Sequence, residues 1–425
     1  MKNPPTSRSP WIFIPTLYFT SGIPYIIINN VSGILYKKLE ITNLQITLWT
    51  SFLYLPWVIK MFWGPIVDIY STKRTWILAT QFAMFCCLGL VALSLQLPNF
   101  FFVSLVIFTI GAFISATYDI ATDGFYLLAL NPEQQAFFVG IRSLFYRLAV
   151  IFSSGGLVFL AGQLEKELNN IPLSWTVAIG FSAFILAILF IFHRLIIPLP
   201  ESDYQRQTQA NTPFWTIIGS YFEQEKIGAI LAFILLYRLG EAMLLKLASL
   251  FLLDKPAAGG LGLSTSDVGL VYGTFGVISL ITGGILGGMV ISRYGLKKCL
   301  LLMALAMNLP NIFYVYMAYA KPTLTLVYPL VSLEQFGYGF GYTAFSVYLM
   351  YISQGEYKTS HFAISTGIVA LGMMLPGIIS GLIQQQVGYP LFFILVCLLT
   401  IPGMITLFFI PLHEANNSTN PKSKI

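Results

Sequence analysis

The chain has 425 residues, of which 56% are hydrophobic and only 9% charged. Soluble domains carry about a quarter charged residues, so this balance excludes a water-soluble globular protein and makes lipid the solvent. The formal charge of +6 then concerns where basic residues fall between apolar segments, and it is no footprint for nucleic acid.

Apolar runs recur from Trp11 to Leu412, and each run of roughly 20 residues can cross a hydrocarbon core of about 30 Å as a helix. In chain order they predict helices over 11–36, 44–67, 76–95, 100–127, 136–161 and 174–196, then 227–253, 265–291, 298–318, 326–351, 361–386 and 388–411. The expected fold is an all-α integral membrane protein of 12 transmembrane helices in two six-helix halves. Residues 1–197 would form the N-terminal bundle, 198–226 a cytoplasmic linker, 227–412 the C-terminal bundle and 413–425 a cytoplasmic tail. The first run is too long for a signal-peptide core and lacks an A-x-A site, so it reads as a retained helix. Cys86, Cys87, Cys299 and Cys397 show neither disulfide nor metal spacing, and neither metal nor cofactor is expected.

Between these helices the basic residues divide unevenly. Lys73, Arg74, Arg194, Arg293, Lys297 and Lys298 are among the many on the side of the termini, against Lys37, Lys38, Lys166, Lys255 and Lys321 on the other. By the positive-inside rule both termini are expected in the cytoplasm.

After the second helix the chain reads Gly64, Asp68, Lys73, Arg74, and after the eighth it reads Gly288, Ser292, Lys297, Lys298 with the same internal spacing, Arg293 lying beside the second copy. Glycine permits close helix approach, while an acid and a basic pair can cap or bridge helix ends in a tight turn. Repeats related by an axis along the membrane normal suit alternating access, with substrate held near the midplane. The two loops resemble the signature loop of the major facilitator superfamily, the second weakened by Ser292 in place of the acid.

Ionisable residues inside spanning helices are costly and mark functional sites. Lys60, Asp119, Asp123 and Arg142 lie toward the cytoplasmic ends and sum to zero charge. Asp119 and Asp123, four residues apart, share a helical face. Two readings stand: a proton-coupling site, or a gate in which Lys60 and Arg142 pair with the aspartates. Deeper lie Arg147, Arg238, Glu241 and Glu334, with Lys246 more peripheral. Arg238 and Glu241 are spaced to pair, and Lys246 can snorkel to the interface. Arg147 has no partner nearby in sequence and suits a bidentate grip on a carboxylate or phosphate. An anionic or zwitterionic substrate follows, with Arg147, Arg238, Glu241, Glu334, Asn29, Tyr237 and Gln335 expected at its site. Tyr18, Tyr25, Asn30, Tyr338 and Tyr342 offer further stacking faces and hydrogen bonds.

His193, His361 and His413 are scattered, so no catalytic constellation forms, and no P-loop is present. The expected protein is not an enzyme, and an ion gradient or the substrate's own gradient drives it.

The segments IKMFWGPIVDIY from Ile59, YDIATD from Tyr118, LYRLGEA from Leu236, GLSTSDVGLVYGTFG from Gly262 and TSHFAISTGIVALG from Thr359 together resemble the muropeptide permease family, often called AmpG-like. The resemblance spans nearly the whole chain. It implies proton-driven import of anhydromuropeptides across a bacterial inner membrane by a carrier that meets a small-molecule substrate, protons and lipid, and the chain is expected to be monomeric. Alternatives are another substrate, such as an acyl-coenzyme A, siderophore or peptide, moved by exchange or uniport, or a non-transporting sensor on the same fold.

Overall fold

The computed structural model describes residues 9–64, 67, 71–130, 132–198, 214–353 and 358–412. Asp68, most of the expected linker and the tail lie outside them. Every regular element among the described residues is helical. In chain order these are α1 (Pro10–Lys38), α2 (Asn43–Phe52), α3 (Leu55–Ile59), α4 (Lys73–Ser94) and α5 (Phe100–Ala129). Helix α6 runs through Pro132–Val150, Ile151–Leu157 and Val158–Leu168. It is followed by α7 (Ile171–Ile196), α8 (Phe214–Phe222), α9 (Ile227–Leu253), α10 (Thr265–Tyr294), α11 (Leu296–Ala320), α12 (Leu324–Ile352) and α13 (Lys358–Thr406). Nine helices among the described residues are long and apolar enough to cross a membrane. Large apolar side chains such as Leu93, Phe184, Leu195, Leu302 and Phe408 are more than 60% exposed on the outer surface, a distribution that lipid tolerates and water does not.

Successive long helices reverse direction, so one face holds the starts of α1, α4, α6 and α9 and the other holds their ends. We call these the terminal face and the far face. Within α13, Gly388 adopts φ 74, a left-handed conformation that suits glycine, and divides the run into two helices where the sequence expects a break.

Two other expected helices are interrupted. The predicted helix 44–67 turns at Leu53 and Tyr54, resumes as α3 and ends in a 3-10 turn at Lys60–Phe62. Pro56 has no N–H for the Phe52 carbonyl, so the α-helical ladder cannot pass this point. The predicted helix 227–253 breaks at Tyr237 and Arg238, where Arg238 takes φ −106 and ψ 10. The expected linker 198–226 also contains α8, docked on α13 by a 2.9 Å hydrogen bond between the Tyr221 and Ser365 hydroxyls.

The first of the repeated loops holds helices together, but through its cations rather than its glycine. Arg74 donates to the carbonyls of Ile197 and Arg194, both at 3.0 Å, closing the end of α7. Buried Lys73 donates to the Val67 carbonyl at 3.1 Å. Among the described residues no neighbouring atom lies within 4 Å of a Cβ placed on Gly64 or Gly288, which corrects the close-approach reading. The tight contacts come nearer the bundle centre, where helices cross: a Cβ on Gly283 would sit 2.1 Å from the Phe336 carbonyl oxygen, and one on Gly287 would sit 2.9 Å from that of Phe340. In the second loop Arg293, Lys297 and Lys298 are exposed, with Arg293 over the ring of Tyr294 at 5.4 Å.

Toward the far face, the N-terminal and C-terminal helices meet at glycines. Helix α6 crosses α10 where a Cβ on Gly273 would lie 1.9 Å from the Ser154 carbonyl oxygen, and one on Gly155 would lie 2.4 Å from Thr274 Oγ1. Helix α2 meets α13 where Gly377 faces Ser51 Oγ at 2.3 Å and Gly381 faces Thr47 Oγ1 at 2.1 Å, by the same measure. A polar cluster seals the face above. Lys37 pairs with Asp254 at 2.5 Å, Tyr389 donates to the same carboxylate at 2.6 Å, and the Asn43 amide reaches Asp254 at 2.9 Å and Gln384 at 3.2 Å. Beside it, Glu165 joins Lys38 (3.2 Å), Trp175 (2.9 Å) and Thr265 (2.8 Å). A branched side chain at position 273 cannot fit this crossing. Gly273→Val should therefore force the far face apart, seen as a longer distance between spin labels at exposed Glu40 and Lys255; an unchanged distance would show that the crossing does not hold the seal.

Candidate functional site: a polar central cavity

A cavity of about 470 Å³ lies between the N-terminal and C-terminal helices. Its charged lining is Lys60, Asp119 and Arg238, and its amides are Asn29, Asn30 and Gln335. Seven aromatic side chains with a polar atom, Tyr25, Tyr54, Trp57, Tyr146, Tyr272, Tyr338 and Tyr342, complete the polar wall. A second cavity of about 170 Å³ shares Lys60, Asp119 and Tyr146 with the first and reaches Tyr18 and Asp123. It leads toward the terminal face, where the Asp123 side chain is 61% exposed. The cavity is thus approached from the terminal face and closed toward the far face.

Local departures from α-helix supply much of this lining. Helix α1 carries a π-helical segment at Ile27–Val31 that holds Asn29 and Asn30, α6 one at Ile151–Leu157 that holds Ser154, and α10 one at Gly269–Gly276 that holds Tyr272. Wider turns of this kind re-aim side chains and recur at functional sites. The Pro56 break exposes Tyr54, Trp57 and Lys60 to the cavity, and the break in α9 does so for Arg238.

Arg238 donates through Nη2 to the Tyr338 hydroxyl at 2.5 Å, and its guanidinium lies 5.5 Å from the Tyr338 ring centre and 4.7 Å from that of Tyr342. Its Nε has no hydrogen-bond partner among the described residues. The ion pair with Glu241 expected from the i, i+3 spacing does not form within 4.0 Å among the described residues. The helical break at Arg238 turns the guanidinium to the tyrosines of α12 instead. Asn29 returns Nδ2 to the Tyr25 carbonyl at 3.1 Å, which leaves its Oδ1 without a partner among the described residues.

Asp119 accepts from Ser21 Oγ at 2.5 Å and Trp57 Nε1 at 3.0 Å. Asp123 accepts from the Tyr18 hydroxyl at 2.8 Å and Arg142 Nη1 at 3.4 Å, while Arg142 lies 4.8 Å from the Tyr126 ring centre. Of the expected gate quartet only Arg142 and Asp123 pair. Both stand on N-terminal helices, so this contact does not itself bridge to the C-terminal side. Lys60 lines both cavities without an ion-pair partner within 4.0 Å among the described residues.

Several expected substrate residues stand elsewhere. Tyr237 stacks on Phe345, ring centres 5.2 Å apart, and donates to the Gly341 carbonyl at 3.2 Å; it is 1% exposed and belongs to the core. Arg147 does not line the cavity; its Nη2 lies 3.7 Å from a Cβ placed on Gly284 of α10. Glu241 and Glu334 are wholly buried behind the cavity wall. Lys246 does not snorkel: it donates to Thr50 Oγ1 at 3.2 Å over the ring of Tyr54. Tyr54, Trp57, Tyr146 and Tyr272 were not anticipated, although Trp57 and Tyr54 stand three and six residues before Lys60. The described residues hold no cluster of His, Cys, Asp and Glu able to bind a metal.

A family model described as Major Facilitator Superfamily matches residues 16–253 and again 214–424. The chain belongs to the major facilitator superfamily. It is 25% identical over 417 residues to "Putative transporter AmpG 4" of Rickettsia felis, covering 94% of this chain and 95% of the relative. It is 26% identical over 401 residues to the "Anhydromuropeptide permease" of Escherichia coli K12, covering 92% and 77%. Among solved structures, a D-xylose-proton symporter superposes with a TM-score of 0.73 at 12% identity, covering 94% of this chain and 97% of that one. The nucleoside transporter NupG superposes with a TM-score of 0.71 at 16% identity, covering 93% and 98%. The chain is therefore a multi-pass membrane transporter of this superfamily, similar along most of its length to AmpG-type permeases, and not an enzyme.

Core and cavity roles are separable by melting the purified permease in detergent. Tyr237→Ala empties a packed site and should cost about 3 kcal/mol or more, whereas Tyr342→Ala on the cavity wall should leave the melting temperature nearly unchanged. Equal losses would place both rings in the core.

Proposed function

We propose that this permease is a proton-coupled importer of anhydromuropeptide-like solutes, working by alternating access in a bacterial inner membrane. In this reading the chain forms 12 transmembrane helices, six within residues 1–197 and six within 227–412, as a monomer with both termini in the cytoplasm. The two matches of the family model support the division, and the basic residues on the terminal face support the orientation.

The observation that carries the substrate class is Arg238. A guanidinium in a cavity wall, with tyrosine rings around it and no carboxylate within ion-pair distance among the described residues, is equipped to grip an anionic group in two-pronged fashion. Tyr25, Tyr338 and Tyr342 offer rings for sugar faces, and Asn29, Asn30 and Gln335 offer amide contacts to sugar hydroxyls and peptide groups. Lys60 and Asp119, nearer the terminal face, present opposite charges to a peptide that carries both. The main cavity's 470 Å³ lies within the common range of about 300–1,000 Å³ for small-molecule sites, and the adjoining cavity lets a longer ligand extend. The name of the Escherichia coli relative points to the same solute class.

Alternating access would break the Lys37–Asp254–Tyr389 cluster at the far face and close the terminal face around Lys60, Asp119, Asp123 and Arg142, which we assign to the gate. The exposed Arg142–Asp123 pair is weak and easily exchanged.

The test is uptake of a labelled anhydromuropeptide into proteoliposomes under an imposed pH gradient, with and without a protonophore. Gradient-dependent, protonophore-sensitive uptake is expected, and a folded protein that takes up none would overturn the substrate assignment. Arg238→Ala should weaken ligand binding by about tenfold to a hundredfold, the usual worth of a charged hydrogen bond. Arg238→Lys should not restore it, since an ammonium lacks the planar fork. Full binding by either variant would remove Arg238 from the site.

A further inference from the structure

Two carboxylic acids lie where the fold has no evident need of them. Glu241 on α9 and Glu334 on α12 are both 0% exposed. Both oxygens of Glu241 lack any hydrogen-bond partner among the described residues, and Glu334 accepts from its neighbour Gln335, at 3.0 and 3.3 Å. Glu241 follows Arg238 by three residues, and Glu334 precedes Tyr338, the hydroxyl that receives Arg238, by four. The two helices run in opposite directions, so both acids stand one turn beyond the Arg238–Tyr338 contact, on its far-face side. Gln335 and Tyr272 line the cavity and form the wall in front of them.

The groups facing this pair are Arg238 on α9, Tyr272 on α10, Tyr314 on α11 and Tyr338 on α12. Helix α13 meets this stretch of α9 through Val396 and Thr400 at Gly240. The next cation along α9, Lys246, is engaged with Thr50 of α2.

We propose that Glu241 and Glu334 are the proton-binding site of the permease, and that a proton enters there together with each anionic group gripped by Arg238. This rests on the reading of Arg238 as the anion grip. The argument is charge balance. A buried charge without compensation costs several kcal/mol or more, so the cluster of one arginine and two carboxylic acids is stable at net zero, with one acid protonated. An anion on Arg238 adds one negative charge. Neutrality returns when the remaining carboxylate also takes a proton, which turns the arginine's charge wholly toward the ligand. Release of the anion reverses the step. The coupling is therefore reciprocal, as linked binding must be: raising the pH weakens substrate binding, and binding substrate draws in a proton.

An infrared arm needs no substrate. In reconstituted wild type, a pH-difference spectrum should contain a glutamic-acid carbonyl band at the high-frequency end expected of a carboxyl without hydrogen bonds. It should shift on 13C-glutamate labelling and vanish in Glu241→Gln. Absence of the band from wild type, or its survival in both Glu241→Gln and Glu334→Gln, would overturn the proposal. In the transport arm, wild type should take up about one proton per anhydromuropeptide bound, read with a pH dye in weak buffer. The double variant Glu241→Gln with Glu334→Gln should bind without proton uptake, exchange labelled for unlabelled solute within about threefold of wild type, and fail to accumulate it against a gradient. Gradient-driven accumulation by that variant, or ligand binding by wild type with no proton uptake, would equally overturn it. If wild type handles no anhydromuropeptide at all, the substrate reading falls and the infrared arm decides the proton site by itself.

Discussion

The architecture depends on how closely two pairs of helices can approach toward the far face. Helices α6 and α10 touch backbone to backbone at Ser154, Gly155 and Gly273, and α2 meets α13 through the Thr47 and Ser51 hydroxyls against Gly381 and Gly377. In lipid there is no hydrophobic force to press helices together, so small residues that allow dispersion contact and close polar contact supply the attraction. Because these contacts lie toward one face, the helices diverge toward the other, and the divergence is the cavity. The polar cluster of Lys37, Asn43, Asp254 and Tyr389 sits above them and can be reorganised without disturbing the core of either group of helices.

Within the cavity the governing rule is that charge in a low-dielectric interior must be answered. Asp119 is answered by Ser21 and Trp57, and Asp123 by Tyr18 and Arg142. At contact distance among the described residues Arg238 is answered by a hydroxyl and by ring faces, weaker partners than a carboxylate, which leaves it ready to take an anion. Glu241 is not answered by any hydrogen bond among the described residues. An arginine with an unused Nε and an acid without hydrogen bonds, a turn apart, have the elements of a coupled site.

Irregular backbone places these groups. The π-helical segments in α1, α6 and α10 and the breaks at Pro56 and Arg238 all fall at the cavity. Such departures are tolerated at membrane depth where the freed backbone groups face protein or a cavity instead of lipid. They also put the weak points of the helices beside the ligand, where bending accompanies a change of access.

The sequence by itself determined the solvent, the helical class, the family and the inventory of intramembrane charges, because apolar length and the cost of burying charge are local properties that composition and spacing express directly. It also placed a break between two helices at residue 387, next to Gly388 where the chain turns. It did not determine which charges meet. The i, i+3 spacing of Arg238 and Glu241 suggested an ion pair, yet a break in the helix turned the arginine toward Tyr338 and Tyr342. Arg147 stood alone in sequence but lies against α10, and Tyr237 was absorbed by stacking on Phe345. Gly64 and Gly288 matched in spacing, while the close approaches fell at other glycines because the crossing points depend on how whole helices tilt against one another. Those choices rest on contacts between residues far apart in the chain, which only the tertiary structure brings together.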